Sequence, residues 1–246
     1  MTPAFQVFDE VGRIAIDTKM MAYSLRARND FSIPGGGVNR LYVTVANAAQ
    51  PIIFVRGAYT FLNQVTRSAG SMTFDFFVLL TSTGASGRYY VFDKSELLSG
   101  KSGLEMYDEN GNVTFSSVHP PLNLVWAGAP PRGNERAPYN LGSTASEWSM
   151  TELPKGLYAG AVTGTRGGID VQGDGSVTYA DTMSEYVCFD SGENNSPHDG
   201  KGCTLMFAYD GNSIPTGSYW GRWYQRGAPP LIMIIDAAEY DRHQIS

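Results

Sequence analysis

The chain has 246 residues, enough for one large β domain or two small ones. Lys+Arg number 18 against 24 Asp+Glu, a net charge of -6, so no nucleic-acid partner is expected, since phosphate backbones require clustered cations. Charged residues make up only 17%, beside 28 Gly and 14 Tyr, which suits short strands and many turns rather than long amphipathic helices.

Along the chain, strand signals dominate. Ile14 and Ile16 alternate with Arg13, Ala15 and Asp17. Leu41, Val43 and Val45 alternate with Tyr42, Thr44 and Ala46; Val113 and Phe115 with Asn112 and Thr114; Leu205, Phe207 and Tyr209 with Met206 and Ala208. Period two sends one set inward and the other outward. The run 73–80 is more continuously apolar and reads as a buried central strand. Turn chemistry lies between β-like runs at Asp9-Glu10-Val11-Gly12, Asp108-Glu109-Asn110-Gly111, Asp174-Gly175 and Asp210-Gly211-Asn212. Each predicts a hairpin, because Gly and Asn tolerate the positive φ of tight turns. Helix is scarce: one turn over 94–98 and one or two over 236–242.

One segment recurs. Residues 5–18, FQVFDEVGRIAIDT, match residues 104–117, LEMYDENGNVTFSS, at an offset of 99. Asp, Glu and Gly coincide at 9/108, 10/109 and 12/111, and apolar residues at 5/104, 7/106, 8/107, 14/113 and 16/115; Leu25 and Leu124 align beyond them. A duplicated hairpin implies two modules, each beginning with the same ribbon. The small, flexible stretch Ser99-Gly100-Lys101-Ser102-Gly103 is a plausible junction. The expected organisation is an N-terminal module over 1–99 and a C-terminal module over 100–246. The latter carries a proline-rich loop at 128–142 and a polar loop at 190–202. The fold class is mainly β: two antiparallel sandwich or barrel-like modules with little helix.

Chemistry-bearing motifs are few. No apolar run reaches half of the roughly 20 residues of a spanning helix, so no membrane span is expected. The N-terminal MTPAFQVFDEVG has neither a basic nor an apolar region, so no secretory signal is expected. Gly100-Lys101-Ser102 ends like a phosphate-binding loop, but Ser95 stands where its first Gly belongs and a strand-like run follows. Three scattered histidines and the absence of a Cys-x-x-Cys pair give no metal site, and no cofactor is expected. Asp170, Asp174, Asp181, Glu185 and Asp190 cluster in sequence, the weak basis for a glycan-cleaving carboxylate pair; the bland reading, solvated turn and edge positions, is preferred, and no enzyme is expected.

Two further features carry alternatives. Cys188 and Cys203 flank the polar loop. They are either two thiols, one per strand, or a bridge that clips the loop base and stabilises by roughly 3 kcal/mol. Tyr219, Trp220, Arg222, Trp223 and Tyr224 form an aromatic, basic segment. It is either an aromatic core strand with an Arg-capped outer face or a surface that stacks on sugar rings.

The second ribbon, Gly103-Leu104-Glu-Met-Tyr107-Asp-Glu-Asn-Gly111-Asn-Val-Thr-Phe115-Ser-Ser117, resembles a Gly-Leu-x-Val-Tyr/Phe-Asn/Asp-x-x-Gly-x-x-x-Phe-Asp-Ser pattern of small tail proteins of tailed bacteriophages. Tyr89-Tyr90-Val91-Phe92-Asp93 is similar to the segment that precedes it there, and Pro51-Ile-Ile-Phe-Val-Arg56 to a Pro-x-Phe-Val/Ile-Arg strand. The likeness covers the first half, to Val125; Ser116 replaces the usual Asp, and the first copy has Ala4-Phe5 in place of Gly-Leu. The resemblance implies a structural protein of the virion tail end, a tail-tip, baseplate or fibre-attachment component assembled in the host cytoplasm, with no catalytic residues. Its implied partners are other tail proteins, further copies of the chain in three-fold or six-fold symmetry, and a host-surface glycan or pilus. A lectin-like surface-binding module is the alternative, and a glycan-degrading enzyme the less favoured one.

Overall fold

The computed structural model describes residues 6–8, 14–17, 22–35, 40–79, 84–94, 103–108, 110–130, 148–150, 152–173, 178–189, 202–215 and 230–243. Among them the chain is mainly β. A ribbon of β1 (Gln6–Phe8) and β2 (Ile14–Asp17) comes first. Six strands follow: β3 (Tyr23–Ile33), β4 (Arg40–Ala46), β5 (Ile52–Arg56), β6 (Thr60–Ser68), β7 (Ser71–Val78) and β8 (Ala85–Lys94). A second ribbon, β9 (Glu105–Tyr107) and β10 (Val113–Ser116), precedes β11 (Trp126–Gly128), β12 (Trp148–Met150), β13 (Tyr158–Val162), β14 (Gly167–Gly173), β15 (Thr178–Phe189), β16 (Cys203–Pro215) and β17 (Ile232–Asp236). The helix α1 (Ala237–Asp241) follows at once, its N-cap Asp236 accepting a hydrogen bond from Ala238 N, as the sequence leads one to expect of 236–242.

The two larger sheets repeat one plan. One sheet runs β11-β17-β13-β5-β8-β3 and the other β12-β16-β15-β6-β7-β4, with β14 added beside β15. Substituting β11, β12, β13, β15, β16 and β17 for β3 to β8 in turn converts one half of each sheet into the other. Each sheet is therefore two three-strand halves joined at equivalent strands, Val55 opposite Gly160 in one and Thr60 opposite Val187 in the other. Both halves of the chain contribute to both sheets.

The six-stranded sheet curls into a half-barrel, and the segment just before β11 reaches across to β3. Leu25 N donates to Pro120 O at 2.8 Å and Leu122 N to Tyr23 O at 2.6 Å, while Val125 N farther along donates to Ile234 O at 2.9 Å. Residues 120–128 thus bond first to β3 and then to β17, covering part of the β3 edge. Leu25, Phe54, Tyr90, Phe92, Ala159 and Ile235 fill the inside of the curl, with Tyr240 of α1 among them. Phe92 meets Phe54 and Tyr240 edge to face, at 5.3 and 5.0 Å between centroids.

The outer face of the curl packs on the second sheet in two places, one for each half. Val43, Val45, Phe74, Phe76 and Val78 meet Ile53, Val55 and Val91 in the first. Val187, Phe189, Cys203 and Leu205 meet Tyr158, Ile232 and Ile234 in the second. The alternation at 41–46 appears as expected, Leu41, Val43 and Val45 buried and Tyr42, Thr44 and Ala46 exposed. Strand β7 has neighbours on both sides, with Phe74, Phe76 and Val78 turned into the core. On its other face Phe77 stacks on Phe61 at 4.9 Å and lies 3.5 Å beneath the Arg40 guanidinium.

Three of the four hairpins form: β1 with β2, β9 with β10, and β14 with β15. The fourth does not. Strand β16 runs straight through Asp210-Gly211-Asn212, and the register passes from Asp181 opposite Ser213 to Met183 opposite Tyr209. Three residues face Thr182 alone, so the turn-like triplet makes a bulge inside a long strand, which Gly permits equally well. Alternation also fails at Val113-Thr114, both buried, because Thr114 is the extra residue of a bulge. Of the helical turn expected at 94–98, Lys94 ends β8 and the rest lies outside the described residues, as do 131–147 and 190–201.

Candidate protein interface

The ribbons are the most distinctive local structures. In the first, Gln6 faces Asp17, Val7 faces Ile16 and Phe8 faces Ile14. In the second, Glu105 faces Ser116, Met106 faces Phe115 and Tyr107 faces Val113. Adding 99 to each number of the first set gives the second. The bulged residue, Ala15 or Thr114, occupies the same position in both. A one-residue slip would move every side chain to the other face, so shared register means shared faces.

The residues common to both copies have different reasons for being there. Asp108 organises the turn: Oδ1 accepts from Asn110 N and Asn112 N, each at 2.8 Å, and Oδ2 from Asn112 Nδ2 at 2.8 Å. These bonds, Asn112 first, hold its carboxyl below the usual aspartate range. Gly111 has φ of +83°, a region that disfavours side chains. At the base, Leu104 N donates to Ser117 Oγ at 2.8 Å and Ser117 N to Leu104 O at 2.9 Å. Val113, Thr114 and Ser116 are buried, and Ala22 N donates to Thr114 O, seating the ribbon against the chain just before β3. Leu104 and Tyr107 instead stand 64% and 49% exposed.

A second polar cluster lies at one mouth of the curled sheet. Asp241, the last residue of α1, accepts from Arg56 at 3.1 Å, Arg88 at 2.9 Å and the Tyr90 hydroxyl at 2.9 Å. Arg28 donates to Tyr240 O and approaches Asp241 at 3.9 Å. Arg88 also forks onto Asp30 at 2.5 and 2.9 Å, which lowers the Asp30 carboxyl and secures the charge on Arg88. Burial pushes Tyr90 and Tyr240 up to about 12. The cluster is the lock of a C-terminal latch: the Tyr240 hydroxyl donates to Pro121 O and accepts from Asn123 N, tying α1 to the segment that reaches across to β3. Nothing in the sequence links residue 28 to residue 241.

Between β3 and β4 a cleft of about 220 Å³ is lined by Arg26, Asn29, Val43, Val45, Tyr89 and Val91 among others. It is smaller than typical small-molecule sites. Arg26 closes one end through Asn47 O at 3.0 Å and Asp93 at 3.0 Å.

The cysteines are not joined. Cys203 stands opposite Phe189 and Cys188 opposite Thr204, so the two are one residue out of register and point to opposite faces of the sheet. The bridge allowed by the sequence is thus replaced by two buried thiols, Cys203 among Phe189 and Leu205. Of the clustered carboxylates, Glu185 is buried and bonded to Arg166, whose Nε donates to Oε2 at 2.8 Å. Asp170 and Asp181 occupy facing register positions on β14 and β15, while Asp174 and Asp190 lie outside the described residues. Tyr219, Trp220, Arg222, Trp223 and Tyr224 also lie outside them. Among the described residues no group of three His, Cys, Asp or Glu could hold a metal ion, and no helix is long and apolar enough to cross a membrane. No family model, curated protein or solved structure matches the chain.

Proposed function

We propose that the chain is a structural component of a tailed-phage virion, at the tail tip, baseplate or fibre attachment, that works through protein–protein contacts. One observation carries the reading: the ribbon on which the resemblance rests occurs twice, in the same register, at the head of two units with the same strand plan. Duplicated β units with a turn-bearing ribbon at each head serve a scaffold that must meet neighbours repeatedly. The polar cluster around Asp241 holds α1 to β5 and β8.

Two equivalent units per chain also make the expected symmetries compatible. Three chains in a ring present six units, so a three-fold assembly of this protein matches a six-fold neighbour. Host attachment belongs to the same proposal, with the aromatic, basic residues 219–224 as its sequence candidate.

The test is protein mass spectrometry of purified particles from infected cells. The chain should co-purify with particles through a density gradient in fixed proportion to the tail proteins. Its presence in the cells but absence from the particles would contradict the proposal.

A further inference from the structure

A strand at the edge of a sheet shows unpaired N–H and C=O groups, and proteins blunt such edges with charges, bulges, prolines or short length. Several sheet edges of this chain are blunted in these ways. Strands β11 and β12 have three residues each. Strand β3 is bonded at Tyr23 and Leu25 by residues 120–122, bulged at Arg26 and charged at Arg28 and Asp30. Strand β14 carries three glycines and Asp170. Strand β4 is the exception. It ends the seven-stranded sheet, and no strand lies beyond it among the described residues. Its seven residues, RLYVTVA, pair with β7 without a register shift, contain no proline, and carry Arg40 as their one charge.

The backbone groups on the open side of β4 belong to Tyr42 and Thr44. Asn47 N donates to Gly70 O, on the β7 side, while Ala46 O accepts from Arg26 instead. Antiparallel pairs alternate, so Leu41, Val43 and Val45 turn their N–H and C=O to β7, and Tyr42 and Thr44 turn theirs outward. Tyr42 is 62% exposed and Thr44 is exposed as well. Beneath this edge lies the cleft of about 220 Å³ between β3 and β4, with Ala27, Val43, Val45 and Val91 as its aliphatic lining. A strand added to β4 would send every second side chain into that cleft.

We infer that β4 is an acceptor edge for one extended segment of another protein, which bonds to Tyr42 and Thr44 through its main chain and seats small aliphatic side chains, at alternate positions, in the cleft. The segment is uncharged where it pairs. Arg40 and Arg26, at the two ends of the edge, are already matched within the chain by Asp75 and Asp93, so the edge presents no free charge to the incoming strand. A second copy of this chain fits less well. With β4 laid against β4, the inward residues Leu41, Val43 and Val45 stay buried in their own core and leave both clefts unfilled. The inference rests on reading the chain as an assembly component, and it adds the surface, its bonding groups and the partner's chemistry.

The test places the photo-crosslinking residue p-benzoylphenylalanine at Tyr42 of the full-length chain, in the cells that make it, with thermal unfolding checked against the unsubstituted protein. A control carries it at Val65, which is 40% exposed on β6 of the same sheet. The expected product is an adduct at 42, absent at 65. Its linked peptide, sequenced by mass spectrometry, belongs to a second protein and alternates aliphatic with other uncharged residues. Two variants then probe the edge. Thr44→Pro removes a backbone donor on the open side, and Ala27→Leu fills the cleft from β3 without touching β4. Each should cut the adduct several-fold in a normally folded chain. An adduct with copies of this chain only, a linked peptide dense in charge, no adduct at 42, or an adduct undiminished in a folded variant would overturn the inference. Particle association scored in the same samples separates the two ideas. The expected adduct in a chain that never enters particles refutes the tail assignment and leaves the acceptor edge standing; particles that contain the chain without an adduct at 42 refute the edge alone.

Discussion

A side chain at Gly160 would place its Cβ 1.9 Å from Cε1 and 2.0 Å from Cζ of Phe189. Gly160 is on β13, opposite Val55, at the seam between the two halves of the curled sheet. Phe189, 1% exposed, ends β15 and fills the core beneath that seam. The missing side chain lets the ring seat directly on the backbone, so the join between units depends on this glycine.

Gly160→Ala should therefore destabilise strongly, by about 3 kcal/mol, the upper end for overpacking a rigid core. Phe189→Ala alone creates a cavity and should cost a similar amount, about 3–5 kcal/mol. The double variant should lose clearly less than the sum, because the small residue at 189 removes the clash. Urea unfolding of the three variants checks this; strict additivity would show that the two residues do not interact.

The latch makes a separate prediction. Tyr240→Phe keeps the ring in the curl but leaves Pro121 O and Asn123 N without the hydroxyl. The expected cost is about 0.5–1.5 kcal/mol, the net worth of a hydrogen bond whose far partners, on Pro121 and Asn123, can turn to water. Asp241→Ala should cost about 1–3 kcal/mol, since it leaves Arg56 and Arg88 without their shared acceptor. The Asp241 effect should shrink in 1 M salt, the Tyr240 effect should not, because only the first is a charge interaction. Denaturation curves at two salt concentrations distinguish them.

Alkaline pH should loosen the same region. Tyr90 and Tyr240, pushed up to about 12 by burial, remain protonated when unfolded tyrosine, near 10, has ionised. Above pH 10 the unfolded chain binds fewer protons than the folded one, so their stabilisation is intact below pH 10 and declines as pH rises toward 12. Chemical denaturation between pH 8 and 11.5 should show stability falling only above about pH 10. Tyr240→Phe should fall less steeply, since one late-titrating group is gone. An equal slope in both proteins would contradict the assignment.

Much of this architecture was legible where local chemistry dominates. The alternation at 41–46 and the acidic-Gly turns needed only period two and positive φ, and the repeat at 5–18 and 104–117 became two ribbons of one register. What failed were features set by distant pairing. Asp210-Gly211-Asn212 has the composition of a turn, yet pairing along the whole of β15 holds it in a bulge. Cys188 and Cys203 flank a loop, which leaves thiols and a bridge equally open in the sequence; only the register, which turns them to opposite faces, decides between them. The fading of the repeat after Leu25 and Leu124 hid the duplicated strand plan, because strand order survives substitutions that erase sequence likeness. The lock around Asp241 joins residues 28, 56, 88 and 241, a contact no spacing rule reaches.

We propose a place for this protein at the tail end of a virion. Gold-conjugated antibody against the chain, applied to intact particles and viewed by electron microscopy, tests it most directly. Label is expected at the end of the tail and nowhere else. Unlabelled particles, from cells in which the protein is abundant, would contradict it.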